Sequence, residues 1–269
     1  MADLRHTHEV SYDGDVVTKR YRATEPGAAE REWRALTLLA EHAPGLAPEP
    51  IAFEAGVVRM SRLDGEPLRG LPVTDDHLAA LAGALAELHA AVPRPVLRDV
   101  PVRPWQREAA GDWIRGQVAR WRARDPLTDR AVREGLRWLE GWRPDGGGVR
   151  PVFGGGDGNL ANFLWDGGRV RVVDFEDSGR SDLAYELAEL AEHVSMWVDV
   201  GVDVGVDVGV DLVARFELSA GEQRRLRECR RAQALVWLFL LAQDDPDNPR
   251  NPPGTFRRQA ERVPARLDA

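Results

Sequence analysis

The chain opens with short apolar stretches and passes into longer ones repeating every three to four residues, the mark of β-strands followed by helices. Asp15 to Tyr21 (DVVTKRY) reads as the second strand of a hairpin turned at Tyr12-Asp13-Gly14. Ala28 to His42 reads as a helix bounded by Pro26 and by Pro44-Gly45. Glu32 shares a face with Leu36 and Leu39, so it projects inward, whereas Glu30 lies with Arg34 and Thr37 on a solvated face. Ile51 to Phe53 and Val57 to Met60 form two short strands around Glu54-Ala55-Gly56. Leu78, Leu81, Leu85 and Leu88 mark a helix that Thr74 caps, with Asp75 and Asp76 in its first turn and His89, read as structural, at its end. Trp105, Trp113, Trp121, Trp138 and Trp142 fall in a further helical region and pack a core. Ser181 to Glu192 and Thr255 to Arg266 read as helices, with Asp182 structural, and the VDVG repeat of Val198 to Asp211 reads as a lengthened surface loop.

Chemistry concentrates between Gly156 and Glu176, GDGNLANFLWDGGRVRVVDFE. Phe163 to Trp165 and Val170 to Val173 flank Asp166-Gly167-Gly168, a tight hairpin turn. Closure about Gly168 places Asn162 opposite Asp174, where facing Cβ atoms lie ~5 Å apart and two oxygen ligands share one divalent cation. Oxygen ligands of this kind suit Mg²⁺, which binds through few protein groups plus substrate phosphates. Asp157, on the irregular segment before the hairpin, is left to act as a base. Of 36 Lys plus Arg, one is lysine: Lys19, on the early strand. In a composition this biased, the exception marks a site where the broad guanidinium fork does not serve, and the inward-facing Glu32 is the carboxylate assigned to hold it.

Gly155-Gly156-Asp157, Asn162 and Asp174-Phe175-Glu176 resemble the HGDxxxxN loop, strand hairpin and metal-binding Asp of aminoglycoside phosphotransferases and related small-molecule kinases of the protein-kinase-like fold. Gly155 stands where that family usually has His. The resemblance implies an α+β fold of two lobes: a small β-rich N-terminal lobe over 1–64, with a hinge near 61–66 beside Met60, and a larger, mainly helical C-terminal lobe over 65–269. It implies Asp157 as the catalytic base, Asn162 and Asp174 as Mg²⁺ ligands, and Lys19, Glu32 and Met60 as the nucleotide-binding set, with Glu176 assisting at the metal or substrate. The activity implied is transfer of the γ-phosphoryl group of ATP or GTP to a hydroxyl of a small molecule, first an aminoglycoside or similar cationic antibiotic. The family's phosphate-covering Gly-rich loop is not visible before the first strand, because only Met1 to His8 precede it. With Gly155, that leaves a catalytically silent nucleotide- or metabolite-binding protein as the competing reading.

Composition narrows the partners. A net charge of -8 and a pI near 5.4 disfavour binding along a nucleic-acid backbone. The start, MADLRHTHEV, is polar and reads as no signal peptide. The longest apolar run, Ala234 to Ala242, is far short of the ~20 residues of a membrane span, so cytoplasm is the expected location. A single cysteine, Cys229, forms no intrachain disulfide, and the six histidines lack zinc-site spacing. Asp244, Asp245 and Asp247 form an acidic group suited to a cationic acceptor, and Trp197 and Trp237 are the aromatic candidates for holding a choline-like amine.

Overall fold

A computed structural model of the chain describes residues 8–22, 24–143, 149–197, 208–244 and 250–268. Two compact units emerge, one of residues 1–104 with 151–181 and one of residues 105–150 with 182–269.

The first unit is built on an antiparallel sheet. Strands β1 (Glu9–Asp13) and β2 (Val16–Arg20) close on a two-residue loop, where Gly14 adopts the positive φ of 56° that such a loop needs. Strands β3 (Pro50–Glu54) and β4 (Val57–Ser61) complete the order β1-β2-β4-β3. In β4, Val58 and Met60 are buried while Arg59 is exposed, the two-residue alternation of a sheet with one covered face. The cover is helix α1 (Ala28–His42), which packs on β3 and β4 and buries Glu32, Ala35, Leu36 and Leu39 along one stripe.

Strand β5 (Glu66–Pro67) follows, then helix α2 (Asp75–Ala91) and the short α3 (Arg94–Asp99). Thr74 caps α2 through a reciprocal box with His77, which satisfies amide groups the first turn leaves open. Strands β6 (Pro151–Gly154), β7 (Phe163–Trp165), β8 (Val170–Val172) and β9 (Gly179–Asp182) make two small sheets, β5-β7-β8 and β6-β9. Gly65 lets the chain run close to β7: a Cβ there would sit 3.0 Å from the Trp165 carbonyl oxygen.

The second unit is helical: α4 (Arg107–Arg120), α5 (Pro126–Gly141), α6 (Leu183–Glu192), α7 (Val208–Val213), α8 (Ala220–Ala242) and α9 (Thr255–Asp268). Ile114, Val132, Leu139, Trp142, Leu235, Phe239 and Val263 form its core, with Trp105, Trp113, Trp121 and Trp138 half-buried against it. Asp182 caps α6 by accepting from the Tyr185 amide at 2.9 Å and pairs with Arg225 at 3.2 Å, a structural role. Most of the VDVG repeat lies outside the described residues. Its last turn departs from the expected surface loop, since Val208 and Leu212, four apart, are buried within α7. Gly209 permits this, because a Cβ there would be 2.5 Å from the Ala191 carbonyl oxygen. Among the described residues, no helix is long and apolar enough to cross a membrane.

Candidate active site

Lys19, Glu32, Met60, Asp157, Asn162, Asp174 and Glu176 all belong to the first unit, whereas Trp197, Trp237 and Asp244 belong to the second. Strand β6 delivers Gly155-Gly156-Asp157, with Asp157 exposed. Gly156 has φ 109°, and a Cβ on it would lie 3.0 Å from the Asp177 backbone, so glycine is required there. Gly155 is different: its φ is not in the left-handed region, and the space beside it is filled by Leu88 at 3.1 Å and Phe175 at 3.9 Å from a built Cβ.

The β7–β8 hairpin closes one residue away from the expected register. Its loop is Gly167-Gly168, held by the Asp166 side chain, which accepts from the amides of Gly168 (3.1 Å) and Arg169 (2.8 Å). Phe163 therefore faces Val172, and Asn162 faces Val173, whose amide donates to the Asn162 carbonyl oxygen at 2.9 Å. Asp174 is thus not the cross-strand partner of Asn162, because a one-residue slip reverses which face each side chain takes. Asp174 instead leaves the ladder with φ 70°, a conformation Asp tolerates better than most residues. Asn162 ends a 3-10 turn begun by the Asn159 side chain, and its buried Nδ2 has no hydrogen-bond partner among the described residues.

Lys19 is where the site converges. From β2 its ammonium contacts the Asp174 carboxylate, lies 2.6 Å from Glu176 Oε2 and 3.6 Å from Glu32 Oε2, and sits 4.9 Å above the Tyr21 ring. Burial alone would disfavour the charged amine, but Glu32, Asp174, Tyr21 and Glu176 outweigh it and hold its pKa well above the ordinary lysine range. Glu32, inward on α1, also accepts from the Phe175 amide at 2.7 Å and from the Tyr21 hydroxyl at 3.0 Å. Burial raises the Glu32 pKa, with Lys19 opposing it. One carboxylate therefore ties the helix to the lysine and to the loop that carries Asp174.

The sequence names Glu176 as assisting at the metal or substrate, but its contact with Lys19, and the parts played by Arg31 and His8, are not legible there. Glu176 takes a second place on Lys19, and burial and the nearby Asp174 charge push its pKa up to about 7 against the pull of Lys19. Arg31, beside Glu32, donates from Nε to the Glu176 carbonyl oxygen. His8 is buried, its Nε2 3.0 Å from Glu176 and 3.1 Å from Glu25, while its Nδ1 accepts the Arg22 amide at 3.4 Å. A His8 ring nitrogen and carboxylate oxygens of Glu25 and Glu176 lie within 4.8 Å of one another.

The donor set fits a hard divalent cation. Carboxylate oxygens of Glu32, Asp174 and Glu176 lie within 4.8 Å of one another, and oxygen-only donors on two loop carboxylates match Mg²⁺ chemistry. Met60 is buried in β4 opposite Val17. Beyond it, the Ser61 and Arg62 amides are committed to the Glu49 and Asp15 carbonyls. In the second unit, Arg262 and Arg258 lie over the Trp197 ring at 4.7 and 5.8 Å, and Trp237 packs edge-on to His193. Protein cations thus already cover Trp197. Asp244 accepts from the Arg250 amide at 3.2 Å, whereas Asp245 and Asp247 lie outside the described residues.

Comparison with known structures bears on this geometry. A choline/ethanolamine kinase family protein from Mesorhizobium loti is 21% identical over 98% of this chain and 86% of its own, with a TM-score of 0.66. A GDP complex of aminoglycoside 2'-phosphotransferase-IIIa is 17% identical over 97% and 89%, with a TM-score of 0.63. An aminoglycoside phosphotransferase from Streptomyces rimosus, in complex with ADP and streptomycin, is 19% identical over 84% and 89%, with a TM-score of 0.56. The fold is thus the α+β, two-lobed, protein-kinase-like one, with a small N-terminal sheet and a larger helical C-terminal part. Among curated protein sequences, no significant match is found. Residues 5–229 match the model of the phosphotransferase enzyme family, and the chain belongs to that family.

Proposed function

We propose that the protein is a Mg²⁺-dependent phosphotransferase that moves the γ-phosphoryl group of ATP or GTP to a hydroxyl of a small molecule, with an aminoglycoside or similar cationic antibiotic as the first candidate acceptor. The observation that carries this reading is the single lysine, held by Glu32 against Asp174 and Glu176. An ammonium gripped this way is positioned to neutralise phosphate charge beside metal-binding carboxylates. Residues 1–64 serve as the nucleotide lobe, with Met60 against the base and the hinge near 61–66, and residues 65–269 supply catalysis and the acceptor site. Asp157 orients the acceptor hydroxyl and takes its proton, and its exposure suits an acceptor arriving from solvent. Asp174 and Asn162 hold the metal, with Glu176 beside them. Mg²⁺, when bound, neutralises phosphate charge and orients the transferred group. Such chemistry draws on the cytoplasmic nucleotide supply, and an antibiotic acceptor would make it a resistance function.

A nucleotide titration tests the base of this reading. Mg-ATP or Mg-GTP at about a hundred times its Kd stabilises the native state by ~2.7 kcal/mol, and the stabilisation is lost in Lys19→Ala and Asp174→Ala. No thermal shift with either nucleotide would overturn the kinase reading. Transfer of labelled phosphate is then followed across aminoglycosides, amines and sugars. Mg²⁺-dependent nucleotide hydrolysis that disappears in Asp157→Asn separates the enzyme from a silent binder, because a base set for an alcohol also orients water.

A further inference from the structure

Asp157 is a catalytic group on an unusually soft piece of chain. Gly154, Gly155 and Gly156 precede it and Gly158 follows. Each glycine surrenders more backbone freedom on ordering than Ala would, by roughly 0.5–1 kcal/mol. No side chain at 154–156 can lock the loop, so its geometry must be imposed from outside.

We propose that Arg103 is that external brace, a positioning residue that fixes the peptide leading into Asp157; the inference rests on the reading of Asp157 as the base. Arg103 is among the largest fully buried side chains, and its Nη2 donates to the Gly156 carbonyl oxygen at 3.1 Å. That carbonyl belongs to the peptide whose nitrogen is Asp157's own, so the bond sets the plane from which the Asp157 side chain departs. The Arg103 backbone is itself anchored. Its amide donates to the Arg180 carbonyl oxygen at 3.2 Å, the Arg180 amide donates to Pro101 at 2.9 Å, and Val102 bridges Arg180 in parallel. Gly179 makes the approach possible, since a Cβ there would come within 2.7 Å of the Arg103 nitrogen and 2.8 Å of the Pro101 oxygen.

The guanidinium's charge also acts on the neighbouring loop. Burial raises the pKa of the Asp177 carboxyl, and the Arg103 charge is the strongest influence holding it back, ahead of Arg31. Asp177 packs against Gly156 and lies three residues beyond Asp174. The bond to Gly156 comes from one arm of a planar guanidinium on an anchored backbone, a placement a lysine's single ammonium does not reproduce. This brace stands on the loop whose Gly155 carries no side chain.

The test uses the full chain with Arg103→Ala and Arg103→Lys. The loss of a positioned base lowers kcat for phosphate transfer, or for Mg²⁺-dependent nucleotide hydrolysis, by about a hundredfold in Arg103→Ala. Nucleotide Kd, set by Lys19 and Asp174, changes by less than about twofold. Hydrogen exchange rises in peptides spanning 154–160 and not in β1 to β4, and added guanidinium ion restores part of kcat. Lysine restores little of it. Wild-type kcat in Arg103→Ala would overturn the proposal, as would kcat and nucleotide affinity falling together with melting temperature and no guanidinium rescue. Should the wild-type chain bind no nucleotide and turn nothing over, the kinase reading fails, and exchange still decides: unchanged protection over 154–160 in Arg103→Ala overturns the brace. If the alanine variant does not fold, the same comparisons are read from Arg103→Lys, which keeps the charge.

Discussion

Replacing Lys19 with Met keeps the apolar stem and removes the one charge on which three carboxylates converge. Their side chains differ in exposure: Glu32 1%, Glu176 17% and Asp174 37%. The cost therefore falls mainly on Glu32, because a partly exposed carboxylate recovers solvation. Breaking a buried pair costs about 3–5 kcal/mol, and Glu32 keeps its bonds from the Phe175 amide and the Tyr21 hydroxyl, which places the loss near the low end, about 3 kcal/mol. For a chain of this size that lowers Tm by roughly 6–12 °C. The sign with pH follows from burial, which already raises the Glu32 pKa. Without the lysine it rises further, so the folded variant holds a proton that the unfolded chain releases above about pH 4.3. Variant stability then falls as pH climbs, and the gap to wild type is narrow near pH 5 and widest above pH 7. Urea titrations by circular dichroism at pH 5 and pH 8, without metal, measure this gap. Adding Glu32→Gln should recover at least about 1 kcal/mol in a double-mutant cycle. A loss below about 0.5 kcal/mol at pH 8, or an equal loss at both pH values with no coupling to Glu32→Gln, would refute the reasoning.

Gly156→Ala forces a Cβ onto a backbone at φ 109° and to within 3.0 Å of Asp177, so it costs about 1–3 kcal/mol and lowers turnover; unchanged Tm would contradict the required glycine. Glu176 has a folded pKa raised to about 7, so in metal-free buffer it holds a proton that the unfolded chain loses. Wild-type stability relative to Glu176→Gln should fall as pH rises from about 4.5 to about 7, by up to ~1.4 kcal/mol per pH unit; a flat difference in urea titrations counts against it. Gly155→His crowds Leu88, whose Cδ2 lies 3.1 Å from a built Cβ, so it should destabilise the wild-type background and be better tolerated with Leu88→Ala. Thermal melts of the four combinations check this, and strict additivity would count against it.

Glu32 illustrates what one element's sequence carries. Its spacing to Leu36 and Leu39 puts it on the buried stripe of α1 whatever the helix packs against, and the structure buries Glu32 while leaving Glu30 exposed. The strands around Lys19 and the 163–172 hairpin were equally legible, since alternation and glycine turns are local signals. The hairpin register was not. A loop centred on Gly168 and a loop of Gly167-Gly168 use the same residues, and only the Asp166 side-chain bonds to the Gly168 and Arg169 amides decide between them. That single step moves Asp174 out of the ladder, and no periodicity announces an aspartate at φ 70°. The gathering of Lys19 with Asp174 and Glu176, 155 and 157 residues away, and of Arg103 with Gly156, depends on how distant segments pack. By itself the sequence determined which faces are apolar and which residue types were at hand. Tertiary structure decided which charges meet, because a buried charge must find its partner across the fold, and local spacing does not encode that distance.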